Sequence, residues 1–94
     1  MLGSVVYAAR LADGTIKIGH TERFDLRLHW LKNYNHQDVD LMAFRVGTYE
    51  EEQAIHASLV DHRDHAHEYY RATPEVLAVV NAMRTDLGLD PVAA

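Results

Sequence analysis

Two short runs of alternating apolar and polar residues open the chain, 5–11 (VVYAARL) and 15–19 (TIKIG), with Ala12, Asp13 and Gly14 between them. Runs of this length, rich in Val and Ile and broken by Asp-Gly, read as a β-hairpin. Two registers are open. A two-residue turn at Asp13-Gly14 pairs Tyr7 with His20 and sends Lys17 to the opposite face. A three-residue loop with Gly14 in the left-handed region pairs Leu11 with Thr15, Ala9 with Lys17 and Tyr7 with Gly19. Lys17 then lies diagonal to Tyr7, while Ile16 and Ile18 turn together to the core. A one-residue slip would flip every side chain to the other face, and the second register keeps the apolar and polar sets apart, so it is the one expected.

Beyond the hairpin the pattern changes. Thr21 is placed to cap a helix whose Phe24, Leu28 and Leu31 form one apolar stripe, with Arg27 on its flank near the hairpin. Residues 39–46 alternate loosely and read as a third strand, with Leu41, Ala43 and Arg45 on one side. Thr48 and Glu51 have the spacing of a capping box, which opens a helix through about residue 63. In that helix Ile55 and Leu59 face the core, and Glu52 and His56, one turn apart, share a neighbouring face. Thr73-Pro74 starts a last helix with Val76, Val80, Met83 and Leu87 as its buried stripe and Gly88 at its end. The order ββαβαα predicts an α+β fold, a small single-domain α/β/α-type sandwich on a three-stranded antiparallel sheet. It spans residues 1–90, with 91–94 a flexible tail.

Composition narrows the function classes. A chain of 94 residues supports one core and leaves no room for a catalytic domain plus a separate DNA-binding domain. There is no cysteine, so neither disulfides nor thiolate zinc sites are available. No apolar run approaches a membrane span and no signal peptide precedes Val5, so a cytoplasmic protein without a membrane partner is expected. The chain carries 9 Lys plus Arg against 14 Asp plus Glu, a net charge of -5, which opposes binding to a phosphate backbone. The cations are nevertheless concentrated: Arg10, Lys17, Arg23, Arg27, Lys32 and Arg45 precede the acidic run Glu50-Glu51-Glu52. A locally basic face around the hairpin is compatible with that distribution.

The candidate chemistry lies in Tyr7, the segment from Lys17 to Thr21, Arg27, and the pair Glu52 and His56. In order and spacing these resemble the active site of the GIY-YIG endonucleases, and most closely the short stand-alone phage and bacterial branch. The first tripeptide of that family corresponds to Val5-Val6-Tyr7 and the second to Lys17-Ile18-Gly19, with lysine in place of tyrosine and His20 three positions on. The branch's Ile-Gly-x-Thr stretch, its arginine with spaced leucines, its Glu-x-x-x-His helix and its Gly-Glu-Trp-Phe-like segment correspond to residues 18–21, Arg27-Leu28 with Leu31, Glu52 to His56, and His67-Glu68-Tyr69-Tyr70. No one of these motifs is specific alone; their order carries the likeness.

The resemblance implies metal-dependent hydrolysis of DNA phosphodiester bonds. Tyr7 orients or deprotonates the attacking water, and because a free phenol titrates near about 10 it needs a cationic neighbour such as Lys17. His20 takes part in proton transfer or binds phosphate. Arg27 holds the non-bridging oxygens, and Glu52 binds one Mg2+ or Mn2+ ion. Glu52 is the only carboxylate expected at the cleft, so weak, substrate-assisted metal binding is expected. Gly19 leaves room for substrate beside the phenol. Arg23, His56 and Glu68 join it as substrate-binding residues, and Glu68 also orients the final segment. The partner implied is DNA, branched or structured DNA included, with a homodimer or a protein partner supplying specificity. The other reading is a catalytically silent module of the same fold that binds nucleic acid or protein.

Each residue also has a plainer role open to it. Tyr7 and Lys17 can be cross-strand neighbours, Arg27 can pair with Glu22 or Asp25, and Glu52 sits in a first turn where the helix dipole favours acids. His56, His62, His65 and His67 form a tract able to bind zinc or nickel, although its spacing matches no standard zinc module. Trp30, Tyr34, Tyr69 and Tyr70 suit base stacking, and equally suit core packing.

Overall fold

The hairpin forms in the expected register. In the computed structural model, which describes residues 4–23, 39–64 and 68–93, β1 (Val5–Leu11) pairs antiparallel with β2 (Ile16–Thr21), Tyr7 opposite Gly19 and Ala9 opposite Lys17. The loop is closed by Gly14 N–H donating to the Leu11 carbonyl at 3.0 Å and Leu11 N–H to that of Thr15 at 2.9 Å. Gly14 has φ 89°, a conformation that disfavours a side chain, and the Asp13 carboxylate accepts from the Thr15 N–H and hydroxyl.

Strand β3 (Val39–Val46) joins the other side of β1. Its register shifts between Ala8 and Ala9, so Ala8 faces Ala43 and Ala9 faces Leu41. This bulge corrects the expected alternation. Leu41 and Phe44 pack with Tyr7, Ala9, Leu11 and Val39 on one face of the sheet, whereas Met42 and Ala43 both join Val6, Ala8, Ile16 and Ile18 on the other.

Among the described residues the sheet has four strands, where three were expected. Tyr69–Tyr70, β4, pairs with β2 at its outer edge, giving the order β3-β1-β2-β4. Helix α1 (Tyr49–Ser58) carries the expected capping box, with the Thr48 hydroxyl accepting from Glu51 N–H and the Glu51 side chain from Thr48 N–H. It ends short of residue 63. Leu59 N–H is shared between the Ile55 and His56 carbonyls, a 3-10 turn follows at Val60–His62, and Arg63 leaves to form a bridge with Tyr70. The pull of that non-local pairing stops the helix.

Helix α2 (Pro74–Asp86) is capped by Thr73 and buries Val76, Leu77, Val80 and Met83. Leu87 was expected in the stripe but falls past the last helical residue and is exposed, and Leu77 takes a buried place. Both helices pack on the face holding Ile16 and Ile18. Each fully buried Val or Ile there contributes about 1.5–3 kcal/mol. Within the stretch expected to form a free tail, Val92 is tied back: the Asn81 amide donates to the Val92 carbonyl at 3.1 Å and accepts from Val92 N–H at 2.8 Å. The helix expected after Thr21, with Arg27, lies outside the described residues. Among the described residues no helix is long and apolar enough to cross a membrane.

Candidate functional site

Helix α1 lays Ile55 and Leu59 into the core, and the 3.6-residue period therefore turns Glu52 and His56 inward along the adjoining strip. Both are almost wholly buried, at 4% and 1% exposure. His56 stacks on the Tyr70 ring, with centroids 5.6 Å apart and planes 13° from parallel, and its Nδ1 hydrogen-bonds the Tyr70 hydroxyl. That bond commits Nδ1, and Nε2 stands 3.5 Å from Glu52 Oε2. The other Glu52 oxygen accepts from the Gln53 amide at 3.0 Å, which fixes the plane of the carboxylate.

Glu68 completes the group. Its backbone carbonyl accepts from Ile18 N–H at 2.9 Å, which anchors the start of β4 to β2. Among the described residues it is the non-glycine position with positive φ, 75°, a conformation that costs roughly 1–2 kcal/mol. Its carboxylate meets Lys17 Nζ at 3.7 Å, and donor atoms of Glu52, His56 and Glu68 all lie within 4.8 Å of one another. The expectation of a single carboxylate at this place is thus corrected to two. Burial pushes the Glu68 carboxyl above its ordinary value; the Lys17 ammonium opposes this, and a hydrogen bond with Glu52 and the Glu52 charge push it further up. Burial likewise raises the Tyr70 phenol, opposed by the nearby Arg63 guanidinium.

Lys17 is itself buried, with its ammonium 4.7 Å above the centre of the Tyr69 ring. Through register it is diagonal to Tyr7, as expected, so Lys17 and Glu68 at the β2–β4 edge link the Tyr7 side of the sheet to the carboxylates. Tyr7 is 1% exposed and does not stand on an open strand face. The space beside Gly19 is filled by the Tyr7 ring itself and not left for substrate, since a Cβ on Gly19 would come within 2.6 Å of the phenol oxygen.

The remaining residues stand apart or lie elsewhere. His20 is opposite Val6, on the sheet face away from Tyr7; its Nε2 hydrogen-bonds the Ser4 hydroxyl, and its ring meets Tyr49 edge-on. Arg23 is exposed just past β2, where its N–H donates to Thr21 Oγ1 at 3.0 Å. Arg27, Trp30, Tyr34, His65 and His67 lie outside the described residues. His62 bonds Thr73 Oγ1 through Nδ1 at 3.0 Å and is not part of the donor group. Sequence reasoning placed Glu68 among the substrate-binding residues, orienting the final segment, and not among the metal donors. No local period signals its place among them, because Glu68 precedes the two-residue β4 and has φ 75°.

Comparison of the chain with protein-family models, with curated protein sequences and with solved structures finds no match. The functional reading therefore rests on the residues and their geometry.

Proposed function

We propose that this protein is a divalent-metal-dependent endonuclease that hydrolyses DNA phosphodiester bonds at a GIY-YIG-like site. The observation that carries the reading is the meeting of Glu52, His56 and Glu68, with Lys17 against Glu68, at the edge of a hairpin whose register sets Tyr7 beside Lys17. Glu52 is the residue that would hold Mg2+ or Mn2+, and a bound ion would supply polarisation of the scissile phosphate and charge stabilisation at the leaving oxygen. Tyr7, buried and diagonal to the Lys17 cation, is the group to orient the attacking water or take its proton once its phenol is opened to the cleft. Arg27 binds the non-bridging oxygens, with its planar fork suited to two contacts. The water oxygen bonds to phosphorus and the bond from phosphorus to the 3′ oxygen breaks, leaving 5′-phosphate and 3′-hydroxyl ends.

A second reading, a silent module that binds nucleic acid or a protein partner, draws on the acidic balance and on the burial of Glu52 and Lys17 within an existing polar network. One experiment separates them. Supercoiled plasmid and branched oligonucleotides are incubated with the protein and Mg2+ or Mn2+, alongside Glu52→Gln and Tyr7→Phe. The proposal expects metal-dependent nicking, abolished in Glu52→Gln and reduced about a hundredfold or more in Tyr7→Phe, with DNA affinity retained in both. Failure of the parent to cut any of these substrates, or equal cutting by Glu52→Gln, favours the silent module.

A further inference from the structure

The donors around Glu52 differ in kind from a magnesium site. Magnesium prefers an all-oxygen octahedron with several waters, whereas an imidazole nitrogen with two carboxylates suits manganese, zinc and their neighbours. We propose that Glu52, His56 and Glu68 together form a three-donor site for a transition-metal dication, loaded before nucleic acid binds. The inference rests on the same site as the proposed function and specifies its metal class and its ligands.

Three observations support it. His56 Nδ1 is held by the Tyr70 hydroxyl, so Nε2 is the ring nitrogen that faces the carboxylates; a second group that fixes the ring of a metal-binding histidine in this way is a recurrent feature of such sites. Gln53 turns Glu52 so that Oε2 faces His56. Glu68 closes the third side from another element, and its side chain, at 30% exposure against 5% for Glu52, marks the side open to an incoming ion. Donors bound about 2.1 Å from one ion stand about 3 Å apart when adjacent. The three donors, within 4.8 Å of one another, must therefore draw together when an ion binds, and Glu68, the more exposed carboxylate, is the one with room to move. Lys17 sits 3.7 Å from Glu68 and can keep its place beside a bound carboxylate, where it offsets the second negative charge.

The test uses the DNA-free full chain, titrated calorimetrically with Mn2+ and separately with Mg2+. One Mn2+ per chain, bound about tenfold or more tighter than Mg2+, is expected. Glu68→Gln should weaken Mn2+ by about tenfold or more, and His62→Gln should leave it unchanged. His56→Gln should also weaken it; because that ring is buried, Glu68→Gln, with circular dichroism as the check of folding, keeps the test decisive. Pulsed electron paramagnetic resonance of the Mn2+ form should show coupling to one imidazole nitrogen. Mn2+ binding no tighter than Mg2+, unchanged binding in folded Glu68→Gln, or the absence of nitrogen coupling overturns the proposal. Tight Mn2+ binding without DNA cleavage would keep this inference and sink the nuclease reading, and cleavage without tight binding would do the reverse.

Discussion

At Gly19 the absence of one methyl group decides the packing beside the site. A Cβ there would meet the Tyr7 phenol oxygen at 2.6 Å and two ring carbons at 2.7 and 3.0 Å. Gly19→Ala should therefore destabilise by about 1–3 kcal/mol in urea unfolding, the usual range for overpacking. Adding Tyr7→Phe should not rescue it, because the ring carbons clash as well; an alanine variant as stable as the parent would show that the ring has somewhere else to go. Glu68 offers a second residue-scale expectation. Its carboxyl is raised in the folded protein, so the folded state holds the proton more tightly than the unfolded chain does. The resulting stabilisation is complete below the ordinary value of 4.5 and is lost as pH rises through the folded value. In metal-free buffer the parent should lose stability across that window relative to Glu68→Gln, measured as the difference in urea midpoints. A parent that gains on the variant with rising pH would mean that the Lys17 attraction dominates.

The elements that carry the site are set by their ends. The Thr48–Glu51 capping box satisfies two backbone N–H groups one residue before Glu52, and Glu51 also reaches Arg45 at 3.4 Å, an exposed pair that contributes little. Thr48→Ala should cost about 1 kcal/mol and lower the urea midpoint without altering the slope. A change in slope would instead indicate loss of the helix from the folded state. Strand β4 behaves differently. Two residues do not form a strand by propensity; Tyr69 and Tyr70 pair with β2 because Tyr70 fills the core beside His56 and Tyr69 lies under Lys17.

For the whole molecule the relevant quantity is charge. At a net charge of -5, binding to DNA must rely on a few local cations. The isolated chain should bind duplex DNA weakly, in the nonspecific range of about 10⁻⁴–10⁻⁶ M at physiological salt, with affinity falling as salt rises. Useful specificity is then expected only from a dimer or a partner that adds contacts. Fluorescence anisotropy against salt, with sedimentation to establish the oligomeric state, checks this. Tight sequence-specific binding by a demonstrated monomer would contradict it.

The hairpin register, the bounds of the third strand, both helix caps and the start of α2 were legible in the sequence, because a glycine at positive φ, a Thr-x-x-Glu box and period-2 or 3.6 patterning are local physics. What followed from contacts between distant residues was not. The bulge opposite Ala8 and Ala9, the early end of α1 before Arg63, the fourth strand and the tie from Asn81 to Val92 each satisfy backbone groups through partners far along the chain. The site divides in the same way. Glu52 and His56 were visible as a pair one helical turn apart, but no local pattern brings Glu68 to them. That depends on β4 docking against β2, where the Glu68 carbonyl bonds Ile18 and its carboxylate closes on Lys17 and the buried pair.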